Sequence, residues 1–230
     1  MRKIAILSLA LFAAACGSSS DPVPTAESIT GTVGGAAFTS ASQLAMTKAS
    51  NACEIALAPV PLGVSLALVN VSDVAGTCTQ ADQGCLSNSR NLQLFIAKVH
   101  VPNATFPNSD APPFTTGTYT YADVANFDPT TLLPDPVTGN ISIFTGAVEA
   151  FSTAPVCDTT GYYLISSGTM TVTSVAGSTI SGTVSVNLVV PGTTTAAGTL
   201  SGTFTTANIC TDTSGMTACQ MLNGILPSVP

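Results

Sequence analysis

SGTMTVTSVAGSTISGTVSVNLVVPGTTTAAGTLSGTFTT, residues 167 to 206, decides the fold class. Met170 and Val172 alternate with threonine, and Ile180, Val184, Val186, Leu188 and Val190 alternate with polar residues; Leu200 and Phe204 follow after PGTTTA. Side chains switch faces at every residue of a strand, so each segment presents one apolar and one hydroxylated face. The AGS and PGTTTA segments supply turns. Three such segments read as an antiparallel meander with one buried side. Ser-Gly-Thr recurs at 167, 181 and 201 and marks strand starts. A phosphate-cradling loop would need a following helix, and none follows.

Working outward, TGTVGGAAFT (30 to 39) reads as a hairpin, and LGVSLALV (62 to 69), LQLFIAKVHV (92 to 101) and ISIFTGAVEAF (141 to 151) read as strands, with YYLIS (162 to 166) as another candidate. In 92 to 101 the apolar phase changes from Leu92, Leu94 and Ile96 to Phe95, Ala97, Val99 and Val101. That pattern predicts a central strand covered on both faces. SDVAGTCTQADQGCL (72 to 86) is a candidate short helix capped by Ser72 or Asp73, weakened by Gly76. The segment 102 to 140 carries seven prolines and reads as a long loop, with GTYTYADV inside it as an edge strand. The expected fold is all-β, an antiparallel β-sandwich or partly closed barrel with at most one or two short helices, forming a single β domain over 29 to 226.

The start of the chain has a different character. Arg2 and Lys3 precede the apolar stretch Ile4 to Phe12, and Ala13 to Ala15 are small. This is the three-part layout of an export signal, and its apolar stretch is too short to span a bilayer as a helix. Residues 1 to 15 therefore read as a signal peptide. AAAC followed by GSSSD resembles the lipobox of bacterial lipoproteins, departing from it at Ala13, where the pattern usually has Leu. The resemblance implies that Cys16 carries a diacylglycerol, that cleavage falls just before it, and that its new amino group is acylated. Several acyl chains would anchor the protein firmly, since each buried methylene contributes about 0.8 kcal/mol. Gly17, standing where family members kept at the inner membrane usually have Asp, implies sorting to the outer membrane, on its periplasmic or surface side. Residues 16 to 28, polar and interrupted by Pro22 and Pro24, read as the lipidated cysteine and a flexible tether. Further along, GTVGGAAF, GTYTY, GTMTVTSV, ISGTVSV and GTLSGTF are together similar to a group of uncharacterised bacterial lipoproteins. That likeness implies a β fold and supplies no activity.

Cleavage before Cys16 would leave Lys48, Arg90 and Lys98 against all 12 acidic residues. Such a chain has no basic stripe for nucleic acid and no polybasic patch for anionic headgroups, so the expected membrane contact is the lipid itself.

With Cys16 assigned to lipid, Cys53, Cys78, Cys85, Cys157, Cys210 and Cys219 form an even set in an oxidising compartment and predict three disulfides. Pairing Cys78 with Cys85 and Cys210 with Cys219 closes the shortest loops and leaves Cys53 for Cys157. A rival scheme ties the Cys78/Cys85 segment to the C-terminal one, and spacing does not choose between them. A metal site would lack C-x-x-C spacing, and neither a metal nor another cofactor is expected.

Candidate chemistry is sparse. His100 is the only histidine and lies within a strand pattern, and no G-x-S-x-G elbow exists. Glu54 and Glu149 are the carboxylates flanked by apolar residues, where burial would raise a pKa, and they define a hydrolase alternative. Asp123, Asn126 and Asp128 depart from the EF-hand pattern and read as turn residues. Tyr119 and Tyr121, two apart, share one face of a strand: exposed, they would be a ligand-binding platform; buried, they are core. The expected function is a lipid-anchored envelope component that binds a partner or forms a structural surface, without catalysis. The alternative is a carbohydrate- or small-ligand-binding module, and the candidate partners are an envelope protein or a glycan.

Overall fold

The computed structural model describes residues 28–54, 60–77, 86–103, 105, 107–123, 134–135, 137–154, 156–177, 179–208 and 217–225. They form one sheet of strands β1 (Ile29–Val33), β2 (Ala36–Thr39), β3 (Ser42–Cys53), β4 (Leu62–Ser72), β5 (Arg90–His100), β6 (Gly117–Tyr121), β7 (Asn140–Phe151), β8 (Thr159–Ala176), β9 (Thr179–Val189), β10 (Ala196–Thr205) and β11 (Ala207–Asn208), followed by one helix, α1 (Ala218–Ile225). The spatial order is β11-β3-β4-β5-β7-β6-β8-β9-β10-β1-β2. The pairs β6–β7 and β11–β3 are parallel; the other pairings are antiparallel.

The sheet curls into a half-barrel, so the barrel form of the expected all-β fold is the one adopted. Its two ends are joined through the chain between β2 and β3. Ser40 N donates to Ile29 O (2.9 Å) and Ala41 N donates to Ser72 O (2.7 Å), so adjacent residues bond to opposite ends of the sheet. On the other side Thr205 N donates to the Gln43 side-chain carbonyl (3.0 Å). The β1–β2 hairpin turns on Gly34 (φ 58°) and Gly35 (φ 83°). Two successive positive φ values give the turn twist that suits a tight hairpin, and glycine adopts them without Cβ strain.

The inner face is filled. Phe38, Phe144, Phe204, Tyr119, Leu92, Leu94 and Met170 belong to one cluster that runs through nearly every strand. A proline-rich segment closes one end: Ala52 N donates to Ser109 O, Ala111 N to Asn51 Oδ1, Ser65 Oγ to Pro112 O, and Lys98 Nζ to Thr115 Oγ1. Asp110 O sits where a Cβ on Gly63 would project, so glycine is required for this strap to lie against β4.

The outer face of β3, β4, β5 and β7 carries a second apolar cluster. Met46, Leu66, Leu68 and Phe95 are among its residues, and Ala218, Met221 and Leu222 of α1 pack onto it. β5 is therefore buried on both faces, which is why its apolar phase changes midway.

Three expectations are corrected and one strand is added. GTYTY is no edge strand: β6 lies between β7 and β8. YYLIS and GTMTVTSV form one strand, β8, with bulges after Ile165 and Val172 that shift its facing pattern. Residues 42 to 53, not foreseen as a strand, form β3. Cys53 bonds to Cys219, with Cα atoms 5.4 Å apart, which excludes the pairings Cys53–Cys157 and Cys210–Cys219; the curl brings the end of β3 under α1 across 166 residues of sequence. Cys157 is also disulfide-bonded. Of the segment 72 to 86, Ser72 ends β4, and residues 78–85 lie outside the described residues.

Candidate functional site

Among the described residues, a groove of about 400 Å³ lies at the end away from the strap, between the β1–β2 and β9–β10 turns, lined by Thr32, Gly34, Gly35, Tyr163, Val190, Ala196, Ala197 and Gly198. β-Barrel mouths are frequent ligand sites, and this volume is near the lower end of their range. Tyr163 lies on the inward-facing side of β8 and packs against the inner cluster. Its hydroxyl lies beside Gly34, where a Cβ would strike it. Gly34 N donates to Ala197 O (2.7 Å), tying the two turns together. None of the lining side chains carries a charge.

A second polar feature lies on the outer face. The register aligns Ser42, Ser72, Asn91, Glu149 and Tyr162 in one row across five strands. Glu149 is 8 % exposed and accepts a hydrogen bond from Thr159 Oγ1 (3.1 Å). Burial raises its pKa, and the hydrogen bond opposes that shift only in part. Burial also raises the pKa of Tyr162, and the neighbouring Glu149 charge adds to the effect. Next to the row, Asn70 is 1 % exposed, and neither its amide nitrogen nor its carbonyl oxygen has a hydrogen-bond partner. Asn91 Nδ2 donates to Ser89 Oγ (2.7 Å) while its carbonyl oxygen has no partner. Such groups cost roughly 1–3 kcal/mol each when left unpaired.

The proposed pair of carboxylates does not form. Glu54 is exposed and follows Cys53 at the strap end, in register with the start of β4 beside His100, whereas Glu149 shares a row with Asn91. The length of β5 between Asn91 and His100 separates those rows, about 30 Å at about 3.3 Å per residue. Paired glycosidase carboxylates lie roughly 5–10 Å apart.

Tyr119 and Tyr121 are not an exposed platform. Tyr119 is 1 % exposed, stacks on Phe114 (5.7 Å) and donates its hydroxyl to Thr115 O (2.8 Å). Tyr121 meets Phe144 edge to face (5.9 Å) and donates to Ile165 O (2.7 Å). Both face the inner cluster because β6 is a middle strand, and burial pushes both phenols up to about 12. His100 is buried on β5, its Nδ1 3.1 Å from Asn140 Oδ1.

Cys16, Cys78, Cys85, Cys210, Asn126 and Asp128 lie outside the described residues. Among the described residues no three His, Cys, Asp or Glu side chains gather as a metal site, and no helix is long and apolar enough to cross a membrane. Glu149 was singled out in the sequence, whereas Tyr163, Asn70 and Asn91 were not. The available signal for Tyr163 was the pair YY in a strand, which sends one ring to each face.

No family model, curated protein or solved structure matches the chain.

Proposed function

We propose that this protein is a lipid-anchored component of the bacterial cell envelope, held through acylated Cys16 at the outer membrane, and that its half-barrel acts by binding or as a structural surface rather than by catalysis. The anchoring half rests on the lipobox-like AAAC of residues 13 to 16. The observation that supports the second half is the filled interior. Tyr119, Phe38, Phe144 and Phe204 are its largest fully buried side chains, which leaves rims and outer faces as the contact surfaces. The wide separation of Glu54 and Glu149 supports the non-catalytic reading over one in which these two carboxylates act as a pair. A binding-module reading gains from the groove beside Tyr163.

The test is fractionation of cells expressing the natural chain and a Cys16→Ser variant. The natural protein is expected in the membrane pellet and the variant in the soluble fraction. Equal solubility of the two would refute the anchor.

A further inference from the structure

On the outer face of β4, β5 and β7 a group of polar side chains lies out of water, and two of them are short of hydrogen-bond partners. Ser72, Asn91 and Glu149 stand directly opposite one another across the three strands. Asn70 lies two residues before Ser72 on the same face of β4, and Tyr162 continues the row on β8. Asn70, Ser72 and Asn91 are fully buried or nearly so, and Glu149 is almost as well shielded. The orientation of the Asn91 amide is fixed by its neighbours. Ser89 Oγ donates to Leu86 O (2.8 Å), which commits its one proton, so it accepts from Asn91 Nδ2 (2.7 Å). The unpartnered atom of Asn91 is therefore its carbonyl oxygen, and Asn91 forms a cross-strand pair with Glu149.

A buried carboxylate next to an unpartnered carbonyl oxygen calls for a positive partner. Among the described residues no cationic side chain supplies one. Arg90 turns to the inner face, where its Nε donates to Asp73 Oδ2 (2.7 Å) and its guanidinium lies over Phe38. Lys48 and Lys98 stand about 20 Å or more away along β3 and β5. The donor set is made of oxygens alone, with no thiolate or imidazole to favour zinc or copper. A carboxylate joined by amide and hydroxyl oxygens suits a hard cation, and Ca²⁺ accepts irregular sets of them at about 2.3–2.6 Å, with water completing the shell. Side chains directly opposed on neighbouring strands have Cβ atoms about 4.5–5.5 Å apart, a gap that two oxygens flanking one such ion can span. Asn70, unpartnered at both amide atoms, lies diagonally from Asn91 at about 7–8 Å, and rotation of its amide can turn the oxygen toward the same point. Ser72 Oγ accepts from Val74 N (3.3 Å) and keeps a second lone pair. The chain's formal net charge of −7 also favours a cation.

We propose that Glu149, Asn91, Asn70 and Ser72 hold a calcium ion on the outer face of the half-barrel, Glu149 supplying the charge and the two amides and the hydroxyl the remaining protein ligands. With a single carboxylate in the set, the affinity falls in the range of extracellular calcium modules, about 10⁻⁴–10⁻³ M. The ion ties β4, β5 and β7 together. This goes beyond the binding-surface reading above and depends neither on it nor on the lipid on Cys16.

The experiment frees the full chain of metal with a chelator and titrates it with calcium chloride, using magnesium chloride and sodium chloride at matched ionic strength as controls. Scanning calorimetry should show Tm rising by about 3–8 °C at about 10 mM calcium, and by much less with either control. Terbium, which takes calcium sites and emits when excited through a nearby tyrosine, places the ion. The chain has no tryptophan, so Tyr162→Phe should remove most of the emission while leaving the calcium-induced rise in Tm intact. Glu149→Gln and Asn70→Leu should each weaken calcium binding by about tenfold or more, and either variant suffices if the other fails to fold. In chelator the Glu149→Gln protein should melt above the natural one, because it buries no charge; calcium should reverse that order. The proposal is overturned if calcium moves Tm no further than magnesium or sodium does, or if terbium emission survives Tyr162→Phe. It is also overturned if the calcium response survives Glu149→Gln or Asn70→Leu; its loss in Asp123→Asn instead would put the ion in the loop after β6.

Discussion

Replacing Cys53 and Cys219 together by alanine should cost this protein about 3–5 kcal/mol, a large part of the stability of an ordinary domain. The disulfide closes a sequence separation of 166 residues, for which loop-closure entropy alone gives about 5 kcal/mol. The bond to Cys157 already restricts part of the unfolded chain, which lowers that figure. The local consequence is sharper. α1 has 8 residues, too few to persist as an isolated helix. Ala218, Met221 and Leu222 pack on the outer cluster, and the bond at Cys219 ties the helix to the end of β3, so cutting it should weaken α1 docking before the rest of the sheet. The assay is urea denaturation paired with hydrogen exchange. The double variant should lose α1 amide protection and bind a hydrophobic dye where Leu66, Leu68 and Met46 become uncovered. A stability loss below about 1 kcal/mol, with α1 protection intact, would refute the reasoning.

Gly63→Ala should destabilise by about 1–3 kcal/mol, because its Cβ would occupy the place of Asp110 O; faster hydrogen exchange at the strap amides, Ala111 included, is the accompanying readout. Glu149→Gln should alter the pH profile of stability. Burial raises the Glu149 pKa in the folded state, so the folded protein holds the proton more tightly, and that contribution is complete below the unfolded carboxylate pKa and lost as pH rises through the folded value. Thermal melts should therefore show the variant gaining on the natural protein at pH 7, the gap closing near pH 4, and parallel profiles would contradict the burial argument. The phenols of Tyr119 and Tyr121 should ionise only at about 12, read as a late step in ultraviolet absorbance that moves to ordinary alkaline pH on unfolding.

The elements legible in the sequence are those where one physical signal dominates. Residues 179 to 189 keep strict alternation because one face meets the core and the other meets water. β5 was legible by its double burial, and the β1–β2 hairpin by its glycine pair. β3 escaped because its apolar residues sit consecutively at Leu44, Ala45 and Met46 before a mostly exposed tail, a pattern with neither strand nor helix period. β6 was identified as a strand but placed at an edge, since nothing within five residues encodes its neighbours. The same limit hid the Cys53–Cys219 bond, which depends on how far the sheet curls. Of the candidate site, Glu149 was visible as a carboxylate flanked by apolar residues, but its row exists only once the register aligns Ser72, Asn91 and Glu149. Tyr163 was obscured by the prolines and aromatic residues of 102 to 140, which draw attention to a loop whose tyrosines turn inward.

The most direct test of the account is the intact mass of the protein extracted from membranes, before and after reduction and alkylation. The account predicts a chain beginning at Cys16 and carrying acyl chains, with six cysteines that become alkylated only after reduction, Cys53 and Cys219 among them. An unacylated chain with a freely alkylated Cys16 would contradict the anchored reading and make this a diffusible protein.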